Sequence, residues 1–593
     1  MGNDSGQEDG VSDASQEWGS DFLVDLLEAY DVEYLPFNPG ASFRGIEESI
    51  VNWNDNEPEV ITTPNESLSV SIAHGYAKAT GRPGFCVLHN VVGTMNAAMA
   101  IYNAYIDRVP IVMLSGTGPM RKEHRRPWID WIHTANVQGN IVREYVKWDD
   151  QPHHLDGLAE SFVRAHEISN TRPKGPTYLT IDHALQEDPV QEPYPIPSPE
   201  DFPTPSRMAP DPDAVAQAAS ALVRAEFPVV LVEQLGDSRE AVDALVDLAD
   251  MLGSPVLDVF WRRFNFPNTH PMWMTDSDIY EEADVVLALD VWERDWVTGD
   301  WSNPLETAIE GDFTFIDVGT HELEASGLFP NTYSAHPTDI PILADTALAV
   351  PSLRDAVANR LEGDPEAQRR ASNRFDGVAE RHDAWRDSWQ VKAAEVWDDS
   401  PISPARLVSE VFEVIDGAEW VLTNDIYPEW IRQLWDVEEY DQYIGGHDGG
   451  GGVGYGIGAS IGAALAYQDS DRIPVNIQTD GGLMQYLGGL WILGHYEIPL
   501  LTVMHNNASL HNSTNHRMEL AAFRGRDASH EQALIGTGFV DPIPDYAHIA
   551  EGMGVNGYGP IEDPEELRPA IEAAFEDVKS GEPALVDAIC QAR

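Results

Sequence analysis

Lysine and cysteine are both scarce in this chain of 593 residues. Acidic residues number 99 against 36 basic ones, giving a formal net charge of −63, and lysine supplies only six of the basic residues. Such a surface repels nucleic acid and anionic membranes, so neither is expected as a partner. Because 42% of the residues are hydrophobic, the acidity does not indicate disorder. It suits a halophilic protein, since molar salt screens repulsion between like charges.

Disulfides, membrane spans and a signal peptide are all unexpected in this sequence. Its two cysteines, Cys86 and Cys590, are too few for a disulfide framework. No uninterrupted apolar run approaches the length of a membrane span. The first 17 residues are polar and acidic, unlike a secretory signal, and predict a disordered tail. These features together predict a cytoplasmic protein.

Strand-length and helix-length segments alternate along the chain, which predicts an α/β protein with doubly wound parallel sheets. A stretch rich in proline and acidic residues, and later a charged helical segment, separate three such domains. The predicted order is an acidic tail (1–17), a first domain (18–185), a linker (186–212), a middle domain (213–350), a helical linker (351–403) and a third domain (404–593).

The most informative stretch lies in the third domain. It contains, in order, the apolar strand Ile473–Gln478, the turn Thr479-Asp480-Gly481-Gly482, a helix over roughly Leu483–Tyr496, the strand Leu500–Met504 and the pair Asn506-Asn507. The carboxyl ends of neighbouring parallel strands meet at one edge of a sheet, so Asp480 and Asn507 should lie close together. A carboxylate and an amide oxygen suit Mg²⁺. The free N–H groups after Gly482 should face a diphosphate.

This stretch resembles the thiamine-diphosphate signature, in which Gly-Asp-Gly is followed by paired asparagines, although Thr479 replaces the first glycine. The resemblance implies that Asp480, Asn507 and the main-chain carbonyl of Ser509 ligate Mg²⁺. It also implies that the turn residues Gly481 and Gly482 contact the cofactor.

Glu66 opens a predicted helix after the short strand Val60–Thr62. A carboxylate there gains from the positive end of the helix, so the residue alone is also typical of a helix cap. The run from Pro64 to Gly84 resembles the pyrimidine-binding signature of the same superfamily. The resemblance implies that Glu66 hydrogen-bonds N1′ of the aminopyrimidine and so activates the cofactor.

A glycine-rich loop over Gly449–Gly458 precedes another predicted helix. The pattern loosely suggests a dinucleotide loop, but no strand-ending acid follows at the expected interval. In the thiamine-diphosphate superfamily a bulky apolar residue of such a loop supports the bent cofactor, and Val453, beside Gly452, takes that position. Thr423-Asn424-Asp425-Ile426 ends the preceding strand, so Asn424 and Asp425 should lie near the diphosphate.

Two histidines indicate the subfamily. His89 lies in Leu88–Asn96 and His270 in Phe266–Pro271, and together they resemble the active-site histidines of benzoylformate decarboxylase. Each one alone is more typical of a structural or surface histidine. The resemblance implies that they exchange protons with intermediates or steer the substrate carboxylate. The serine that this family carries after Pro-Gly is replaced by Ala41, with Ser42 beside it.

These resemblances imply a 2-oxo acid decarboxylase or carboligase that uses thiamine diphosphate and Mg²⁺, similar to benzoylformate decarboxylase. The expected assembly is a homodimer or homotetramer with shared active sites. Acetolactate synthase is the enzyme alternative: Glu293–Gly299 loosely resembles a segment near the flavin of those enzymes, so FAD is possible but not favoured. A cofactor-binding protein of the same fold without turnover is a third alternative, suggested by Thr479 and Ala41.

Overall fold

The computed structural model describes residues 15–592 except 236, 260, 276, 293–312, 324–336, 426–427 and 446–450. Most of the predicted acidic tail, the flavin-like segment Glu293–Gly299 and the start of the glycine-rich loop lie outside these described residues. In the part of the chain that is described, no helix combines the length and apolar character needed to cross a membrane.

The described strands form three sheets, and every assigned strand pair is parallel. The first sheet has the order β2-β1-β3-β4-β6-β5, the second β11-β10-β9-β7-β8 and the third β12-β13-β14-β16-β15. The strands are β1 Tyr34–Phe37, β2 Glu59–Thr62, β3 Gly84–Leu88, β4 Ile111–Thr117, β5 Trp148–Asp150, β6 Thr177–Asp182, β7 Pro228–Val232, β8 Val256–Asp258, β9 Val285–Leu289, β10 Thr314–Gly319, β11 Ile340–Leu343, β12 Trp420–Asn424, β13 Ile473–Thr479, β14 Leu501–Asn506, β15 Asn556–Ile561 and β16 Ala584–Ile589.

Helices cover the faces of the sheets, as expected when each parallel strand returns through a crossover. The α-helices in the described residues are Gly19–Ala29, Arg44–Glu48, Glu66–Thr80, Val91–Ile106, Ile129–Ile132, Leu155–Asn170, His183–Glu187, Pro212–Arg224, Arg239–Leu252, Thr346–Leu361, Pro365–Glu395, Pro404–Ile415, Pro428–Leu434, Tyr455–Tyr467, Asp480–Gln485, Gly488–Tyr496, His511–Phe523, His530–Ala533, Tyr546–Gly552 and Pro564–Lys579.

The predicted fold class, three doubly wound parallel-sheet domains, is confirmed. Strand β6, which is not among the strands predicted from the sequence, is buried along its whole length and pairs with β4 in the first sheet. The first sheet uses residues between 34 and 182, the second between 228 and 343, and the third between 420 and 589. The domain boundaries placed from the sequence stay a prediction.

Helix Glu66–Thr80 of the first domain crosses helix Tyr455–Tyr467 of the third domain at very short range. A Cβ atom at Gly75 would lie 1.9 Å from the main-chain oxygen of Ala459, and one at Gly462 would meet the opposite backbone equally closely. Only glycine lets two helix backbones approach in this way. The crossing therefore fixes the helix that begins with Glu66 against the third domain.

Asp107 connects the first and middle domains through buried charges and reaches the third domain through His74. Its carboxylate lies 3.3 Å from Nζ of Lys78, 3.3 Å from Nη1 of Arg262 in the middle domain and 3.2 Å from Nε2 of His74. The ring of His74 packs at 4.8 Å against Tyr455 of the third domain. Burial raises the pKa of Asp107, but the surrounding cations outweigh it and hold that pKa well below its usual range.

Replacing Asp107 with Asn should destabilise the protein by about 3 to 5 kcal/mol, because Lys78 and Arg262 would then lose a buried partner. The matched control is Asp247→Asn, which removes an exposed partner of Arg354 and should cost about 0 to 1 kcal/mol. Denaturant unfolding at fixed salt measures both changes in the free energy of unfolding. Equal effects would show that the network at Asp107 does not stabilise the fold.

Candidate active site

Glu66 lies at the carboxyl edge of the first sheet, just after β2. Asn65 caps the helix, since its Oδ1 accepts a hydrogen bond of 2.8 Å from the N–H of Ser67. The Glu66 carboxylate is therefore not needed as the helix cap and lies in the interior. Glu66 is 6% exposed, and its Oε2 accepts a 2.6 Å hydrogen bond from Nδ2 of Asn96. A Cβ atom at Gly93 would lie 2.8 Å from Oε1, so the carboxylate has close neighbours at both oxygens.

His89 follows β3 at the same edge of the first sheet. Its Nδ1 lies 2.8 Å from Oγ of Ser42, so Ser42 supplies the hydroxyl that the sequence lacks at Ala41. The ring of His133 lies 5.5 Å from that of His89 in an edge-to-face arrangement. Burial, and then the neighbouring His133, lowers the pKa of His89. His133 was missed from the sequence because it lies in a loop with no recognisable motif.

The structure does not bring His270 together with His89. His270 Nε2 lies 3.2 Å from Oδ1 of Asp250 on a middle-domain helix, and its Nδ1 accepts a hydrogen bond from the N–H of Met272. Its ring packs against Phe266 at 5.0 Å. A catalytic role for His270 therefore stays a prediction that none of these contacts supports.

Asp480 and Asn507 meet at the carboxyl edge of the third sheet, where β13 and β14 lie side by side. Both side chains accept a hydrogen bond from the N–H of Ser509, at 3.0 Å to Oδ2 of Asp480 and 3.0 Å to Oδ1 of Asn507. The three residues predicted to ligate Mg²⁺ are thus adjacent. Their role as ligands stays a prediction.

The carboxyl group of Asp480 is buried, and no ion pair joins it to a cation within the described part of the chain. Burial raises the pKa of Asp480 to about 7, although the hydrogen bonds from Gly481 and Ser509 act to lower it. A divalent cation would stabilise the charged form, so this setting fits a metal ligand. Among the described residues, no three His, Cys, Asp or Glu side chains form a metal cluster. Beyond Asp480, any ion here would therefore depend on neutral oxygens of the protein and on its own ligands.

Thr479 caps the helix that starts at Asp480. Its Oγ1 accepts a 3.1 Å hydrogen bond from the N–H of Gly482. The helix predicted over Leu483–Tyr496 is wrong in its bounds, because the cap starts a short helix, Asp480–Gln485, three residues earlier and a second one, Gly488–Tyr496, follows. The N–H of Gly481 contacts Oδ1 of Asp480, so contacts of this turn with a diphosphate stay a prediction.

Asn424 ends β12 and Asp425 follows it, and both residues are buried. Nδ2 of Asn424 donates to the neighbouring strand, to Oδ1 of Asn476 at 2.9 Å and to the main-chain oxygen of Ile477 at 2.8 Å. Oδ2 of Asp425 accepts a 2.7 Å hydrogen bond from the hydroxyl of Tyr443. The hydrogen bonds of these two residues therefore stabilise the edge of the sheet. Their contact with the cofactor stays a prediction.

Helix Val91–Ile106 connects Glu66 to the described part of the glycine-rich loop. Asn96 on this helix holds Glu66, and a Cβ atom at Gly452 would lie 2.2 Å from Cε of Met99 one turn further along. Val453, next to Gly452, is 48% exposed. An apolar loop residue thus lies uncovered near the Glu66 cluster.

This three-domain α/β protein carries polar clusters at the carboxyl edges of two of its parallel sheets. One cluster contains a buried glutamate and a histidine, and the other contains converging oxygen atoms. Three models of thiamine pyrophosphate enzymes match the chain, the N-terminal binding domain at residues 17–141, the central domain at 215–353 and the C-terminal binding domain at 426–588. The chain belongs to the thiamine-diphosphate-dependent enzymes, as its motifs predict.

The names of individual relatives refer to two kinds of activity. The acetolactate synthase large subunit of Haemophilus influenzae is 23% identical over 94% of this chain and 92% of its own length. The benzoylformate decarboxylase of Polynucleobacter necessarius superposes with a TM-score of 0.76 at 17% identity, covering 98% and 99% of the two chains. The 4-hydroxybenzoylformate decarboxylase of Rhodococcus jostii RHA1 gives 0.73 at 20% identity, covering 97% and 99%. The two structural matches show the shared fold.

Replacing Asp480 with Ala should abolish Mg²⁺-dependent binding of thiamine diphosphate while the fold survives, because the variant loses the only charged protein ligand proposed. We expect affinity to fall about 100-fold or more, since even an outer partner of a metal ligand is worth about 10- to 100-fold. Calorimetric titration with and without Mg²⁺ measures this. Asp471→Ala, an exposed change in the same domain, should bind normally, and unchanged Mg²⁺-dependent binding by Asp480→Ala would refute the assignment.

Proposed function

We propose that this enzyme uses thiamine diphosphate and Mg²⁺ to decarboxylate a 2-oxo acid, releasing an aldehyde or joining the product to a second carbonyl compound. The observation that carries the proposal is the contact between His89 and Ser42 next to Glu66. It supplies a histidine and a hydroxyl at the edge where the Glu66 carboxylate lies, as the resemblance to benzoylformate decarboxylase implies.

The residues present fit the cofactor and its metal. Asp480, Asn507 and the Ser509 carbonyl would hold Mg²⁺, and the raised pKa of the buried Asp480 supports a cation there. Glu66 would hold the aminopyrimidine, and Val453 would support the bent cofactor. When bound, thiamine diphosphate supplies the carbon nucleophile and the electron sink. The remaining proposed contacts come from Asn424, Asp425, Gly452, Gly481 and Gly482.

His89 would bind the substrate and transfer a proton. Its Nδ1 is occupied by Ser42, so Nε2 is the nitrogen left to face the substrate. A lowered pKa keeps the ring neutral near pH 7, and the arrival of a negatively charged carboxylate favours protonation. The protonated ring can then return that proton from Nε2 to the carbon that has lost CO₂.

Acetolactate synthesis from pyruvate is the second candidate. It is supported by the Haemophilus relative, which aligns along nearly the whole chain. The two candidates differ in substrate, in product and in their expected need for flavin, so one assay separates them.

Purified enzyme in molar KCl with thiamine diphosphate and Mg²⁺ should release aldehyde from an aromatic or branched 2-oxo acid faster than it makes acetolactate from pyruvate. Product analysis on a panel of 2-oxo acids measures both rates, and Glu66→Gln is the inactive control. Retained activity in molar salt would also agree with the proposed halophilic cytoplasm. A yellow protein with bound flavin that makes only acetolactate would favour the synthase.

We further propose that two copies of the chain share each active site within a homodimer or homotetramer. Apolar side chains beside the site support a covering partner: Val453 is 48% exposed and Met95 is 53% exposed. Burying such a surface is favourable and is typical of a subunit interface.

Mixing inactive Glu66→Gln and Asp480→Ala chains under subunit-exchange conditions should restore part of the activity. If sites are shared, a mixed dimer has one site with both intact residues and one with neither, so up to about half of the dimers regain one working site when exchange is random. Mass spectrometry of intact complexes confirms that mixed dimers form. Mixed dimers without activity would mean that each chain carries a complete site.

A further inference from the structure

His133 is a titratable neighbour of His89 that no motif assigns. The two rings lie 5.5 Å apart with an interplanar angle of 84°. His133 is half-buried, and its Nδ1 is buried without a hydrogen-bond partner among the described residues. The cost of burying a polar nitrogen without a partner indicates that this nitrogen serves something other than the stability of the free protein.

The loop that carries His133 is fixed to the turn that carries Ser42. Asp130, which is buried, accepts hydrogen bonds from the N–H of Arg126 at 2.6 Å and from Nη2 of its side chain at 2.9 Å. Nη1 of the same arginine donates to the main-chain oxygen of Ala41 at 2.9 Å. His133 and Ser42 are therefore held in place on two sides of His89.

The groups around His89 differ in whether their charge can change with pH. Glu66 faces His89 from the helix after β2, and Arg126 faces it from the loop after β4. Arg126 is always protonated and is paired with Asp130. Ser42 carries no charge. Of these residue types, histidine is the one whose ordinary pKa lies near neutral pH.

We propose that His133 is a positioning residue that acts through His89. Only one of the two rings is positively charged at a time, so the pair takes up one proton in total. The proton comes from solvent and is bound when the carboxylate of the 2-oxo acid enters beside the pair. A second proton is disfavoured, because two positive charges 5.5 Å apart repel. The kinetic consequence rests on the proposed decarboxylation, whereas the proton sharing itself does not.

The test is an NMR titration of His89 in the full-length protein with ¹³C-labelled histidine, assigned with His89→Gln. In His133→Gln, which cannot be charged, the titration midpoint of His89 should rise by about 0.5 to 2 pH units, from Coulomb's law at effective dielectric constants of about 80 to 20. In His133→Arg, which is permanently charged, it should fall by a similar amount. His548→Gln, on the exposed surface of the third domain, should leave it unchanged.

The kinetic test is the pH dependence of kcat/KM, whose acid limb should move in the same directions in the same two variants. Midpoints that stay unchanged in both folded variants would overturn the inference, and His133→Asn replaces either variant if circular dichroism shows it unfolded. Shifted midpoints in an enzyme that decarboxylates no 2-oxo acid would refute the proposed function but leave the histidine pair intact.

Discussion

The position of Glu66 depends on how closely two helix backbones approach. Helices Glu66–Thr80 and Tyr455–Tyr467 touch where Gly75 and Gly462 leave no side chain between them. Any larger residue would push the first sheet away from the third and would move Glu66 with it. The spacing between Glu66 and the third domain of the same chain is therefore set by steric contact between these two helices.

Buried charge adds a second constraint on the same helix. In a chain with 99 acidic and 36 basic residues, a basic side chain is scarce, yet Lys78 is placed in the interior beside Asp107. A buried pair of this kind contributes little net stability over an apolar one, but it tolerates no misaligned partner. It therefore suits a junction whose geometry matters more than its strength.

Much of the third-domain site could be predicted from the sequence, because parallel strands end at one edge whatever their side chains. Asp480 and Asn507 meet for that reason. The bounds of the following helix were wrong, since a single threonine hydroxyl at Thr479 provides a cap that periodicity does not reveal. His133 and Ser42 reach His89 from loops, and loop paths depend on tertiary contacts that no local pattern encodes.

The junction at Asp107 also bears on how such enzymes can be recombined. Its partners come from different domains, Lys78 from the first and Arg262 from the middle one, so a middle domain taken from a relative would bring its own residue to face Asp107. A chimera in which that residue is not a cation would leave the buried carboxylate with one cation, Lys78, in place of two. Compatible parents for domain exchange can thus be chosen by this one pair before any overall sequence similarity is considered.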